Sequence, residues 1–249
     1  MNLEKRIDDL ISKMTLEEKI GQLNQISSAG EVGKLKELIK KGKVGSLIMA
    51  STCFAGSDEG GIAGVEYFKE LQRIAVEESR LGIPMIFGRD VIHGHHTVYP
   101  LPLAMASSFN DELVKTAYRN IASEAALDYI HWTFTPMLDL SRDPRWGRCV
   151  ESPGEDPYLG SRMAAMVEGI QGDKLSDESS IAACAKHYIG YGASEGGRDY
   201  HHTDISEPSL HNFYLPAFNA AVKAGVQTVM NSFNEIGGQP VASSRRLLT

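Results

Sequence analysis

Three cysteines in 249 residues, Cys53, Cys149 and Cys184, are too few and too scattered for a disulfide framework, and no two form a Cys-x-x-Cys pair. Free thiols are the expected state. No apolar run approaches the roughly 20 residues of a membrane-spanning helix. The N-terminal MNLEKRIDDLISKM alternates charge with apolar positions and lacks the uninterrupted apolar core of a signal peptide. No membrane partner is expected, and a cytoplasmic location is expected if that N-terminus is native. A basic stripe with interleaved aromatics is also missing. The 25 Lys and Arg against 32 Asp and Glu leave a net charge of -7, spread along the chain, which argues against a nucleic-acid surface. No short internal repeat, linker or low-complexity tract interrupts it.

What is present is ordinary globular composition, 42% hydrophobic and 23% charged, with enough apolar material for a large core. The length suits one (β/α)8 barrel, typically about 250 residues, or two smaller domains. Thr15-Leu-Glu-Glu18 has the form of a capping box opening a helix with Leu16, Ile20 and Leu23 on one face. A Lys-rich helical stretch follows, then the compact apolar run VGSLIM at 44–49, which predicts a buried strand. The Gly-rich GSDEGGIAG at 56–64 precedes the helical pattern VEYFKELQRIAVEES and the strand PMIFG. Asn110 caps DELVKTAYRNIASEAALDY; then come the strand WTFTP, the helix DPYLGSRMAAMVEGIQG, the strand IAACA, a helix beginning near Pro208 and the strand GVQTVM. Five strands, with a sixth candidate around Gln22 to Ile26, alternate with helices. That order predicts an α/β fold with a parallel sheet and right-handed crossovers. The final NSFNEIGGQPVASSRRLLT reads as a loop and the start of a helix. Five or six βα units fall short of a closed eight-stranded barrel, so the expectation is a barrel incomplete in this chain, with an open edge inviting self-association or a completing partner.

Charged residues follow the apolar runs. Asp90 follows PMIFG, Arg148 lies in the loop after WTFTPMLDL, and Lys186-His187 follow SIAACA. Charges at the carboxyl ends of parallel strands are how such a barrel builds a polar pocket. A carboxylate at Asp90 can accept hydrogen bonds from two neighbouring sugar hydroxyls, or simply cap its loop. His93 and His95, spaced to point the same way on an extended strand, suggest metal ligands or plain loop hydrogen-bonders. The segment LDLSRDPRWGRCVESPGEDPYLG crowds Arg142, Asp143, Arg145, Arg148, Glu151, Glu155 and Asp156 together, and most of these are expected to brace one another. A guanidinium left over would donate to a ligand or hold a carboxylate ionised. Lys186 and His187 can donate to ligand oxygens, and a Lys so placed can also form a Schiff base. The Gly-rich stretch before Arg198 and Asp199 is a candidate loop for closing over a ligand.

Taken in order, MTLEEKIGQL, RLGIPMIFGRDVIHG, SRDPRWGRCVESPGEDPYL, AKHYIGYG and VMNSFNEIGGQPV resemble the N-terminal barrel domain of glycoside hydrolase family 3, the family of many β-glucosidases and β-xylosidases. The resemblance covers nearly the whole chain. It implies a TIM-type (β/α)8 fold and retaining hydrolysis of terminal β-D-glucosyl residues, with a carboxylate nucleophile and a second carboxyl as acid/base, the two about 5 Å apart. Residue by residue, the glycone-binding groups fall on Asp90, Arg148, Lys186 and His187, with Met230 beside them; Arg142 and Asp143 fall on bracing positions. The implied partner is a β-glucoside or short β-linked oligosaccharide, with no cofactor and no metal.

The departures are specific. The family's nucleophile lies in a Ser-Asp motif on the strand after VMNSFN, and its acid/base on a later domain; neither falls within residues 1–249, which are read as the domain's N-terminal portion, truncated before the nucleophile strand. No catalytic residue is therefore assigned, and the isolated chain is expected to be inactive. Phe233 stands where many relatives have Tyr, and YIGYGASEGGRDY does not match the His-containing loop of members acting on N-acetylglucosamine. Two rival readings are a catalytically inert fragment or carbohydrate-binding module, and a metal-dependent barrel hydrolase using His93 and His95 with Lys186 and His187.

Overall fold

The computed structural model describes residues 3–27, 32–49 and 65–249. Cys53 and the Gly-rich segment 56–64 lie outside the described residues. The described residues fall into two compact units: one holds those up to Arg89 together with Asp128–His131, the other Asp90–Leu127 and Trp132–Thr249. No helix among the described residues is long and apolar enough to cross a membrane.

The first unit begins with α1 (Leu3–Lys13) and α2 (Leu16–Gln22). The capping box at α2 is complete. The Thr15 hydroxyl accepts from the Glu18 N–H at 3.2 Å, and the Glu18 carboxylate accepts from the Thr15 N–H at 2.9 Å. Arg80 also donates to Glu18, and that contact, with the Thr15 N–H, holds the Glu18 carboxyl down to about 2. The face carrying Leu16, Ile20 and Leu23 is exposed in this unit, Leu23 to 88%. The reason lies at Gly21, the buried residue of α2: a Cβ there would sit 1.9 Å from the Gly42 carbonyl, so the helix packs on its glycine side and turns its leucines outward.

Next come β1 (Gln25–Ser27), α3 (Val32–Lys40), β2 (Ser46–Ile48), α4 (Val65–Arg73), a π turn at Ile74–Glu78 and β3 (Ile86–Arg89). The strands pair in parallel in the order β1-β2-β3, with Gln25 opposite Ser46 and Leu47 opposite Phe87. The sixth strand candidate is thus real, and falls at 25–27. Leu35, Ile39, Leu47, Phe68, Leu71 and Phe87 form this unit's core, with the Phe68 and Phe87 rings 5.0 Å apart.

The second unit contains α5 (Pro102–Ala106), α6 (Asp111–Leu127), β4 (Trp132–Thr133), α7 (Pro157–Arg162), α8 (Ala164–Gln171) and β5 (Cys184–Tyr188). It continues with α9 (Glu207–Ser209), a π turn at Leu210–Tyr214, α10 (Leu215–Lys223), β6 (Thr228–Asn231), the hairpin strands β7 (Glu235–Ile236) and β8 (Gln239–Pro240), and α11 (Arg245–Leu248). Asn110 caps α6 by accepting from the Leu113 N–H at 3.0 Å. The chain from Trp132 to Met137 runs parallel to β5, bridging at Trp132–Ala182 and Met137–Lys186, and β5 pairs in parallel with β6. Cys149 and Cys184 are free thiols.

Three boundaries differ from the sequence reading. The helix expected over 156–172 is two helices, because Met163 between them adopts a ψ of -1°. The segment after VMN is not plain loop: Gly237 and Gly238, both at positive φ, turn β7 into β8. The strand read as IAACA reaches past Ala185, so Lys186 and His187 lie inside β5 rather than beyond it. The ladder continues there, with the Lys186 N–H donating to the Pro136 carbonyl at 3.0 Å and the Lys186 carbonyl accepting from the Leu138 N–H at 2.7 Å.

The packing of α6 on α8 depends on Gly169. An added Cβ would lie 2.4 Å from the Lys115 carbonyl oxygen and 3.0 Å from the Tyr118 Cβ. Gly169→Ala is therefore expected to cost about 1–3 kcal/mol, read as a lower urea midpoint with an unchanged slope. Gly33→Ala is the control, since nothing lies within 4 Å of its added Cβ; it is expected to be neutral or to stabilise α3 by about 0.5–1 kcal/mol.

Candidate functional site

Lys186 is the centre of a polar cluster in the second unit. Its side chain is 3% exposed, and its ammonium donates to the Asp90 carboxylate at 2.5 Å and lies 3.7 Å from Glu151. Glu151 is in turn gripped by Arg148, whose Nε and Nη2 reach its two oxygens at 2.6 and 2.9 Å. Local geometry makes this fork: Arg148 stands immediately before the single turn Cys149–Glu151, so the two side chains project three residues apart on one side. Two carboxylates and two cations thus alternate as Asp90, Lys186, Glu151, Arg148. Burial pushes the Glu151 carboxyl up, but the Arg148 fork and the Lys186 charge outweigh it and hold it below the usual range. Burial pulls Arg148 down, and Glu151 more than reverses that, keeping the guanidinium charged. The side chains of Asp90, Glu151 and Arg148 keep 20–23% exposure while Lys186 is sealed, so the cluster is closed at its base and open at its rim.

His187 is held from the opposite side. Asp139, itself 3% exposed, accepts from the His187 backbone N–H at 3.0 Å and from the ring Nδ1 at 2.7 Å. A carboxylate oxygen only accepts, so Nδ1 carries a proton and Nε2 is the nitrogen left without a bond to Asp139. The Tyr191 ring joins the two arms, packing edge-on against His187 at 5.1 Å and under the Arg148 guanidinium at 5.6 Å. Trp146 packs on Tyr191, and Asp199 accepts from both the Trp146 indole N–H, at 3.1 Å, and the Tyr191 hydroxyl. Burial, reinforced by Asp199, raises the Tyr191 hydroxyl well above its usual range. Phe233 lies 5.5 Å from His187 and stays 56% exposed.

Asp90, Arg148, Lys186 and His187, expected to meet, are joined: the first three through ion pairs, the fourth through the Tyr191 ring. Met230 stands half-buried on β6 where the register against β5 slips between Ala185 and Tyr188. The bracing pair divides. Asp143 does brace, accepting from the Arg145 guanidinium at 2.6 Å and being held down to about 2 by it. Arg142 instead lies over the Phe213 ring at 5.3 Å, a cation–π contact rather than a carboxylate pair. His93 Nδ1 is used by the Tyr99 carbonyl at 2.9 Å, and His187 Nδ1 by Asp139, so those two nitrogens are not offered to a cation. Sequence reasoning missed Asp139, Tyr191 and Trp146 as members of the site. The one available signal for Asp139 was an acidic residue set inside the apolar run PMLDL.

Comparison with known proteins gives a consistent result. Residues 15–249 match the family model described as the glycosyl hydrolase family 3 N-terminal domain. A periplasmic beta-glucosidase of Salmonella typhimurium is 41% identical over 97% of this chain and 30% of its own length. A beta-xylosidase of Formosa agariphila is 34% identical over 99% of this chain and 29% of its own length. The solved beta-glucosidase from Listeria innocua in complex with glucose superposes with a TM-score of 0.86 at 40% identity, covering 99% of this chain and 35% of that one. The chain therefore spans about a third of the length of the relatives it matches. The fold is α/β of the TIM-barrel type, and six parallel strands of it lie among the described residues.

Glu151 gives the cluster a defined acid response. Its carboxyl is lower in the folded state than its ordinary value of 4.5, so its stabilisation is fully present above 4.5 and is lost as pH falls below that value. Glu151→Gln keeps the shape but withdraws the charge that both cations face, and is expected to cost about 1.5–3 kcal/mol at pH 7. The check is urea unfolding at pH 7 and pH 4: the gap between wild type and variant should narrow at the lower pH, and an equal gap at both would refute the assignment.

Proposed function

The chain belongs to glycoside hydrolase family 3, and on that premise we propose that it supplies the glycone-binding wall of a retaining β-glycosidase that acts on terminal non-reducing β-D-glucosyl residues. The observation that carries this reading is the open-rimmed cluster: a carboxylate at Asp90 that keeps a minority of its surface exposed, a sealed ammonium behind it and a guanidinium beside it. A pyranose offers adjacent hydroxyls that each donate and accept. Asp90 accepts from two of them and Arg148 donates to their oxygens, while Lys186 behind them holds Asp90 ionised for that contact; each charge-assisted contact is stronger than a neutral one. His187, fixed by Asp139, brings Nε2 to a further hydroxyl, and Phe233 and Met230 give the apolar ring face something to rest on. Relatives named beta-glucosidase and beta-xylosidase support the reaction class.

Retention requires a carboxylate to form a glycosyl-enzyme and a second carboxyl to protonate the leaving oxygen, about 5 Å apart, through an oxocarbenium-like transition state. Asp90 and Glu151 are committed to Lys186 and Arg148 and are poorly placed to leave them. We assign both catalytic roles to segments outside residues 1–249, so that the chain alone binds the sugar without cleaving it. The remainder of the barrel and a further domain are the partners this reading calls for.

The wall's hydrogen bonds are expected to give millimolar affinity for glucose, worth about 4 kcal/mol, measured by saturation-transfer NMR on the purified chain. Asp90→Ala should lower it by about 10-fold or more, since a hydrogen bond to a charged group contributes about 1.5–3 kcal/mol. Equal binding by wild type and variant would sink the wall assignment. Hydrolysis of an aryl β-glucoside by the same preparation should be absent. Robust turnover that disappears in Asp90→Ala would place the catalytic carboxylates inside the chain, with Glu151, Glu155 and Asp199 the candidates.

A further inference from the structure

Beyond the wall, the loop from Glu195 to His202 gathers a second set of donors. One carboxylate oxygen of Glu195 and one ring nitrogen each from His201 and His202 all lie within 4.8 Å of one another. The backbone shapes this arrangement before any ligand arrives. The Glu195 N–H donates to the His202 carbonyl at 3.2 Å, the Arg198 N–H to the Glu195 carbonyl at 3.3 Å, and the His201 N–H to the Arg198 carbonyl at 3.2 Å. Positive φ at Gly196 and Gly197, 65° and 67°, lets the loop double back so tightly. Tyr200 shares that conformation at 62°.

Two further observations point to a ligand. His202 Nε2 already lies 3.1 Å from Glu195 Oε2, so two of the three donors are aimed at the same space. His201 Nδ1 is buried and has no hydrogen-bond partner among the described residues, a state that costs free energy unless something satisfies it.

We propose that Glu195, His201 and His202 form a binding site for a divalent transition metal of the zinc class. Two imidazoles and a carboxylate select zinc, cobalt, nickel or copper over calcium and magnesium, which call for all-oxygen shells. Ligands about 2.0–2.2 Å from a tetrahedral ion stand roughly 3.3–3.6 Å apart. Glu195 and His202, 3.1 Å apart, already stand near that spacing, and the His201 nitrogen, within 4.8 Å of both, needs to close by at most about 1 Å, which rotation of the exposed Glu195 and His202 side chains supplies without moving backbone. Water takes the fourth position, and the exposure of the site makes the ion exchangeable. The site is separate from the sugar wall but mechanically tied to it: Asp199, inside the same loop, accepts from Trp146 and Tyr191. An ion bridging residues 195 and 202 clamps the loop that carries Asp199, and raises the melting temperature by binding the folded chain alone.

The test uses the untagged chain, stripped with EDTA and desalted, titrated calorimetrically with zinc chloride. Saturable binding of one equivalent in the micromolar range is expected, with a melting temperature that rises with zinc and no heat from calcium or magnesium. The double variant His201→Ala/His202→Ala should weaken binding by about tenfold or more. Glu195→Gln keeps the shape of the loop, and should weaken zinc binding while leaving the metal-free melting temperature unchanged. Absence of saturable binding, or equal affinity in wild type and Glu195→Gln, overturns the proposal. Glucose binding that persists in EDTA is expected, because no wall residue belongs to the site.

Discussion

A buried ammonium governs the second unit. Taking Lys186 out of water costs several kcal/mol that only well-placed carboxylates offset, and the structure supplies two, Asp90 at 2.5 Å and Glu151 at 3.7 Å. Satisfying Lys186 this way dictates much else. Asp90 must come to the strand that carries Lys186, 96 residues further along the chain. Glu151, shared with Arg148, must bring its whole loop to the same place. The loop's internal braces, Ser152 to the Asp139 carbonyl and Asp143 to Arg145, then follow as the means of holding it there.

The same constraint leaves an open rim, the feature on which the proposed sugar site rests. Were every charge in the cluster sealed, the network would be a structural staple with no room for a ligand. Here the base is sealed and the rim is not, so a polyhydroxylated ligand can replace water on Asp90 and Arg148 without breaking the contacts beneath. His187 lies buried beside the cluster, oriented by Asp139 and flanked by Tyr191 and Phe233. Hydrogen bonding fixes which of its nitrogens is presented, and aromatic packing fixes where. Asp199 extends this second arm into the loop of Glu195, His201 and His202, so that this loop and the Tyr191 arm of the cluster share one mechanical element.

Signals that depend on neighbours in the chain were legible in the sequence. The capping box at Thr15 and Glu18, the cap at Asn110, the apolar runs that become β2, β3, β5 and β6, and their alternation with helices all follow from spacing of one to four residues. Charge after an apolar run marked Asp90, Lys186 and His187, and the long motifs in order marked the family. Errors arose where a local pattern met a tertiary demand. Leu16, Ile20 and Leu23 form an apolar stripe, yet α2 packs through Gly21 because only a bare Cα approaches the Gly42 carbonyl so closely. Apolar periodicity likewise suggested that the strand ended at Ala185, whereas the backbone ladder to Pro136 and Leu138 carries it through Lys186.

Residue order alone marked most of the strands and helices, the charged residues near their ends, and the family the arrangement belongs to. Only the tertiary structure decided who meets whom. Asp139 meets His187 across 48 residues and Trp146 meets Asp199 across 53, because parallel segments set side by side, and the loops that follow them, bring together residues separated by about the length of a whole crossover, and that length has no period to read. For the same reason Arg142, one residue from Asp143 and identical in type to Arg148, turned to an aromatic ring: the choice among equivalent guanidiniums depends on what the fold places within their reach.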